Sequence, residues 1–345
     1  MMNVFDNILD LIGSTPLVKL NTVTKEIPAT VYAKLESFNP GHSTKDRIAL
    51  HIIEAAERKG ILKPGSTIVE TTSGNTGFSI AMVGIIKGYR CILAVSDKTK
   101  PEKIAYLKAL GAIVYICPAS VLADDPRSYY EVAKRVAAET PDSIYINQYF
   151  NQLNPEAHYL STGPEIWSQT KGKITHLFAC CGTGGTLSGS AKFLKEQNPD
   201  IKVIGVDADG SILKTYHETG EIHPDEIHSY QIEGLGKNLI PGALLFEQID
   251  EFVRVNDENA AHTTREIALK EGIMGGYTTG AVMQALKQYS EMYEFSKNDR
   301  VVLIFPDHGS RYITKVYNDE WMQSQGFMAN DIQKDDEIFV TEFAE

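Results

Sequence analysis

Lys45 stands in the string Asn39-Pro40-Gly41-His42-Ser43-Thr44-Lys45-Asp46-Arg47. Further along comes Glu70-Thr71-Thr72-Ser73-Gly74-Asn75-Thr76-Gly77, and in the second half of the chain Gly182-Thr183-Gly184-Gly185-Thr186. The first string offers an amine that can condense with an aldehyde if it is held neutral. The second offers hydroxyls, an amide and the free N–H groups of a helix start, all suited to a carboxylate. The third lets backbone approach a phosphate closely, with threonine hydroxyls as further donors. Alone, each has an ordinary explanation: a surface lysine, a strand-to-helix turn, a glycine turn. Their joint presence, in this order, points to an aldehyde-bearing, phosphorylated cofactor.

The elements that must hold these strings are legible from hydrophobic periodicity. Short β-branched runs predict strands over 66–71, 90–95, 113–117, 143–148, 176–181, 202–206 and 300–305. Longer amphipathic runs predict helices over 44–59, 76–87, 101–110, 127–139, 155–170 and 187–196. Their alternation implies an α/β chain with mainly parallel, twisted sheets flanked by helices, split into two domains with a cleft between them. Ser43 reads as a helix cap with Asp46 as its capping-box partner, which puts Lys45 in the first turn. There the helix dipole opposes a positive charge, and burial lowers the amine's pKa further.

Composition excludes several classes. With 33 Lys and Arg against 45 Asp and Glu, the net charge of −12 argues against nucleic acid or an anionic membrane as partner. No apolar run is long enough to span a bilayer, and the start lacks the basic and apolar parts of a signal peptide. A cytoplasmic protein with small-molecule substrates is expected. Cys91, Cys117, Cys180 and Cys181 form no C-x-x-C pair and read as buried, reduced thiols, with no metal site expected. Two nucleotide motifs fail on inspection. A dinucleotide fingerprint needs glycine where Leu187 stands, and no Gly-Lys-Ser/Thr follows the glycine loop.

With these strings in place, the chain resembles the fold-type II pyridoxal phosphate (PLP) enzymes of the cysteine synthase and cystathionine β-synthase group, over roughly 11–327. Supporting strings lie at 124–130, 158–159, 162–167 and 206–211. Glu233-Gly234-Leu235-Gly236 and Asn318-Asp319-Glu320-Trp321-Met322 lean toward the cystathionine β-synthase branch. The resemblance implies PLP linked to Lys45, its 3-hydroxyl on Asn75 and its phosphate on Gly182, Thr183, Gly184, Gly185 and Thr186. Thr278 takes the place of the family's serine at the ring nitrogen. Thr72, Ser73, Thr76 and Gln148 take the substrate carboxylate, and Glu233 and Gly234 belong to the substrate loop. It further implies a homodimer, a larger PLP-binding domain over 1–41 and 150–327, and a smaller mobile domain over 42–149. An acidic tail over 328–345 remains, with no length left for a haem-binding extension or a regulatory domain.

The implied reaction is PLP-dependent β-replacement on serine or an activated serine by a thiol, homocysteine giving cystathionine. Cysteine synthase chemistry, with O-acetylserine and sulfide, stays open, as does lanthionine or hydrogen sulfide formation from cysteine. Ser43-Thr44-Lys45 and Gly182-Thr183-Gly184 argue against the related dehydratases. His42, Tyr277 and Lys237 depart from the usual pattern and leave the incoming thiol unassigned. A carboxylate placed at Gly184 or Gly185 is expected to weaken cofactor binding far more than folding.

Overall fold

The computed structural model describes residues 4–72, 74–122 and 124–328. Two sheets form. The larger has six strands in the order β1-β2-β10-β7-β8-β9: β1 Leu17–Lys19, β2 Thr30–Leu35, β7 His176–Cys180, β8 Lys202–Ala208, β9 Glu251–Val255 and β10 Arg300–Phe305. The smaller has four in the order β5-β4-β3-β6: β3 Thr67–Thr71, β4 Arg90–Ser96, β5 Ile113–Cys117 and β6 Ser143–Tyr145. Every pairing is parallel except the edge pair β1–β2. Parallel strands covered on both faces read as continuous apolar runs, and β10, Arg-Val-Val-Leu-Ile-Phe, is buried from Val301 to Phe305.

Alternate residues of each strand feed opposite faces. In the larger sheet Val301, Leu303 and Phe305 join one core with Val31 and Ala33, while Val302 and Ile304 join another with Leu177 and Ala179. In the smaller sheet Ile68 and Leu93 face one core, Val69 and Ile92 the other. No helix among the described residues is long and apolar enough to cross a membrane.

Most expected elements form within a residue or two of their expected ends, including the helices Lys45–Arg58, Asn75–Lys87 and Gly185–Gln197. The expected helix over 155–170 is instead two, Leu153–Leu160 and Thr162–Gln169. Ser161 leaves helical geometry at φ −130, and Pro164 has no N–H for a carbonyl four residues back. β2 escapes the periodicity because Lys34 interrupts its apolar run. That lysine is fully buried, its Nζ donating to the Thr15 carbonyl at 2.7 Å and to Glu165 at 2.5 Å. The helices Asp257–Glu271 and Tyr277–Met292 and the strands β1 and β9 are likewise absent from the expected elements.

Strand order puts several carboxyl ends of the two sheets around one space. The segments after β3, β6, β7 and β10, and the turn leading from β2 to Lys45, all open there, as expected for a crevice in an open α/β sheet.

Candidate active site

That space is a cleft of about 640 Å³. Lys45 is in its wall as the first residue of its helix. The segment before it is stitched to the end of β10: the Thr44 N–H donates to the Pro306 carbonyl at 2.9 Å and the His308 N–H to the His42 carbonyl at 3.1 Å. The capping box is not formed. Thr44 takes the cap position without a side-chain bond. Asp46 is instead buried, accepting from the Gly41 N–H and the Ser79 hydroxyl at 2.5 Å each. Its carboxyl is pushed up to about 6 by burial, partly offset by those bonds. The Lys45 amine is shifted down, chiefly by desolvation, with Asp307 opposing the shift and the Lys237 charge adding to it. An amine so placed reaches its neutral, nucleophilic form more readily.

Asn75 opens the helix after β3. Its amide is already engaged, Nδ2 donating to Asp307 at 2.8 Å and Oδ1 accepting from Arg311. Thr76 donates to Gln148 Oε1 at 2.7 Å, so these two polar side chains share one buried pair in the wall. Thr72 lines the same wall, its hydroxyl accepting from the Gly74 N–H at 3.2 Å. Ser73 lies outside the described residues. Beneath this loop the Glu70 carboxylate accepts from the Thr71 and Gln148 N–H groups. Burial raises its pKa to about 7 despite those bonds.

Gly182, Thr183, Gly184 and Thr186 line the facing wall at the start of the Gly185–Gln197 helix, and Gly185 packs behind them. Thr183 Oγ1 accepts from Asn154 at 3.0 Å, and Thr186 Oγ1 is 3.1 Å from His158 Nε2. The glycines are required by the protein itself. A Cβ would come within 2.3 Å of the Gly234 carbonyl at position 182, 2.5 Å of Leu244 Cβ at 184 and 1.9 Å of Asn154 Oδ1 at 185. Gly184 also has φ +88. The expectation that a side chain here spares folding is therefore corrected. Gly184→Ala is expected to cost about 1–3 kcal/mol of stability by overpacking, with cofactor occupancy falling alongside. The urea midpoint and cofactor content after dialysis check this. Wild-type stability with lost cofactor would refute it.

Thr278 is buried in the wall near the start of its helix. Tyr277 turns its bulk into the core instead, with its hydroxyl on the Asp257 carbonyl at 2.7 Å, so this departure does not reshape the cleft. His42 has φ +60, a conformation easiest for glycine, and is exposed at the rim. Glu233 and Gly234 line the cleft, and the Glu233 carboxylate bridges Lys103 at 2.8 Å and Lys315. The four cysteines are free thiols. Cys91, Cys117 and Cys181 are buried, while Cys180 reaches the cleft and donates to the Thr278 carbonyl at 3.3 Å.

Sequence reasoning missed Asp307 and Arg311. The buried Asp307 carboxyl is raised by desolvation and lies near Lys45. It accepts from Asn75 and, at 2.7 Å, from Tyr312, while its other oxygen has no partner among the described residues. The available signal was position: Pro306-Asp307-His308-Gly309-Ser310-Arg311 follows an apolar strand just as the other two loops do.

The donor set fits PLP. One cleft brings together a desolvated amine, a hydroxyl and amide loop, and a glycine-threonine helix start, which match an aldehyde, a substrate carboxylate and a phosphate. Fold and site thus define an α/β enzyme of the lysine-linked cofactor class. The family model described as pyridoxal-phosphate dependent enzyme matches residues 8–307, and the chain belongs to that family, with PLP as cofactor. It is 41% identical to a cystathionine β-synthase of Apis mellifera over 94% of this chain and 64% of that protein. It is 40% identical to a cysteine synthase of Staphylococcus aureus over 91% of this chain and 97% of that protein. A crystal structure of a hydrogen sulfide-producing enzyme from Fusobacterium nucleatum is similar with a TM-score of 0.80 and 34% identity, covering 90% of this chain and all of that one. The chain spans roughly three-fifths of the length of the cystathionine β-synthases it matches.

Proposed function

We propose that this chain catalyses β-replacement, exchanging the β-substituent of serine or an activated serine for a thiol. The preferred pair is serine with homocysteine, giving cystathionine. The observation that carries the reading is the Lys45 amine, lowered by desolvation, in one cleft with the Thr72–Gln148 wall and the Gly182–Thr186 wall. PLP, when bound, supplies an electron sink for the charge left when the substrate's α-proton departs.

The remaining work falls to side chains. Lys45 holds the cofactor's aldehyde, yields that place to the substrate amine, then takes the α-proton. As an ammonium it is the donor for a departing β-hydroxyl, which leaves poorly unless protonated. Thr72, Ser73, Thr76 and Gln148 hold the carboxylate. Asn75 is assigned to the 3-hydroxyl, with Asp307 and Arg311 fixing its amide. Gly182 to Thr186 hold the phosphate. Thr278 offers the ring nitrogen a neutral hydroxyl rather than a counter-charge, favouring elimination over transamination. The segment 42–149 acts as the smaller, mobile domain. Its Lys100 and Lys103 donate to Thr314 and Glu233, contacts that support this reading. The reading includes a cytoplasmic homodimer.

The branch rests on Glu233-Gly234-Leu235-Gly236 at the cleft. The string 318–322 contributes packing instead: Asn318 caps the Asp319–Ser324 helix at 2.7 Å from the Trp321 N–H, and Trp321 packs edge-on to Tyr277. The similarity to a hydrogen sulfide-producing enzyme supports a second reading in which cysteine is the first substrate. Products from serine, O-acetylserine and cysteine, each crossed with sulfide, cysteine and homocysteine, test both. Cystathionine from serine and homocysteine is expected to form fastest. Turnover of O-acetylserine but not serine gives the cysteine synthase reading instead.

A further inference from the structure

Among the described residues, five lysine and arginine side chains line the cleft. Four have settled roles or partners. Lys45 is the reactive amine, Lys100 donates to Thr314 at 3.0 Å, and Lys103 pairs with Glu233 at 2.8 Å. Arg311 donates to Asn75 and to the Gly41 carbonyl. The fifth, Lys237, has no hydrogen bond from its ammonium and no carboxylate within ion-pair distance among the described residues. It is held all the same. Its ammonium lies 5.2 Å from the centre of the Tyr149 ring, and its backbone is bonded both ways to Ser211, N–H to Oγ at 2.8 Å and carbonyl from Oγ at 3.0 Å. The preceding Gly236 N–H donates to the Cys181 carbonyl at 2.8 Å, anchoring the loop beside the glycine cradle.

The carboxylates nearby do not neutralise it. Glu233 is occupied by Lys103 and Lys315, and Asp307 by Asn75 and Tyr312. Lys237 is thus a positioned cation facing the cleft in a chain of net charge −12. It belongs to the loop before β9, whereas the hydroxyls and amide assigned to the first substrate's carboxylate lie around β3 and β6. Apart from the phosphate cradle, the cleft therefore offers two separate anion receptors. Sulfide needs only one of them, and an amino-acid thiol needs both.

Resting on the β-replacement reading, we propose that Lys237 binds the carboxylate of the incoming thiol, so that the second substrate is an amino-acid thiol rather than sulfide. A charge-assisted bond of this kind corresponds to roughly tenfold or more in affinity. Removing Lys237 also relieves Lys45 of a like charge, which acts on every nucleophile alike and drops out of a comparison between nucleophiles.

The test uses PLP-loaded full chain with serine, or O-acetylserine, saturating. KM and kcat are measured for homocysteine, for 3-aminopropane-1-thiol (the same thiol without its carboxylate) and for sulfide, in wild type, Lys237→Gln, Lys237→Glu and Lys237→Arg. Lys237→Gln is expected to raise KM for homocysteine about tenfold more than for 3-aminopropane-1-thiol. Lys237→Glu is expected to widen that ratio and Lys237→Arg to restore most of it. Equal shifts for the two thiols overturn the assignment. Wild type that turns over sulfide but not homocysteine overturns it while leaving β-replacement intact. No replacement product with any thiol removes the underlying reading as well.

Discussion

Lys45→Ala is expected to abolish the covalent cofactor link and to lower turnover by at least ~10²–10⁴-fold, the usual contribution of one positioned acid–base group. The loss is expected to exceed that of any other single side chain in the cleft because the proposed reaction places three tasks on one amine: holding the aldehyde, taking the α-proton and returning a proton to the leaving group. Folding is expected to change little. Among the described residues the Lys45 side chain makes neither an ion pair nor a hydrogen bond, and its burial in the cleft wall disfavours its charged form. Borohydride reduction of the wild type followed by peptide mapping places the adduct. A reduced adduct on Lys100, Lys103 or Lys237 would overturn the assignment, and so would wild-type turnover in Lys45→Ala.

The three chemical strings are legible in the sequence because each sits at a strand-to-helix junction, where glycine and small polar residues cluster locally. Thr72 to Gly77 after β3 and Gly182 to Thr186 after β7 are contiguous, so spacing alone exposes them. Asp307 and Arg311 are far from their partner Asn75 in sequence, and only the parallel pairing of β10 with β7 and β2 brings that loop to the cleft. Position 34 shows the opposite failure. A lysine inside a short run reads as a surface residue, yet Lys34 is fully buried because its charge finds Glu165. Periodicity records which face is apolar; it carries no record of charges that are paired across more than a hundred residues. The glycine loop reads as a phosphate cradle, and a second constraint on it does not show in the sequence. Its glycines admit the backbone of Gly234 and the side chains of Leu244 and Asn154, which lie in other segments and leave no local signature.

Arg47→Met is expected to destabilise the fold by about 3–5 kcal/mol, the cost of leaving a buried charge without its partner. Arg47 follows Lys45 by two residues and is nearly inaccessible, as is Glu36 on the turn after β2. Its Nε donates to Glu36 at 2.7 Å and its Nη1 to Glu165 at 2.6 Å; Thr15 donates to Glu36 at 2.7 Å and Asn39 at 3.0 Å. The network ties the first turn of the Lys45–Arg58 helix to β2 and to the Thr162–Gln169 helix. Turnover is therefore expected to fall along with stability. Burial alone would raise the Glu36 carboxyl, but the Arg47 charge and bonds, with Lys34 behind them, bring it down to about 2 from 4.5. A carboxyl lowered on folding stabilises fully above its unfolded value and progressively loses that contribution as pH falls. In wild type the contribution of Glu36 is thus present above about pH 4.5 and lost as pH falls through about 2. Arg47→Met removes the cause of that depression, so its urea midpoint is expected to depend less on pH, or in the opposite sense, across the same window. Adding Glu36→Leu to Arg47→Met is expected to recover part of the loss, since a buried pair replaced by apolar groups is often neutral. Urea midpoints of the three proteins at neutral pH and near pH 4 decide it. Wild-type stability in Arg47→Met, or no recovery in the double variant, would mean that packing around the network, rather than the charge of Arg47, fixes the start of the helix.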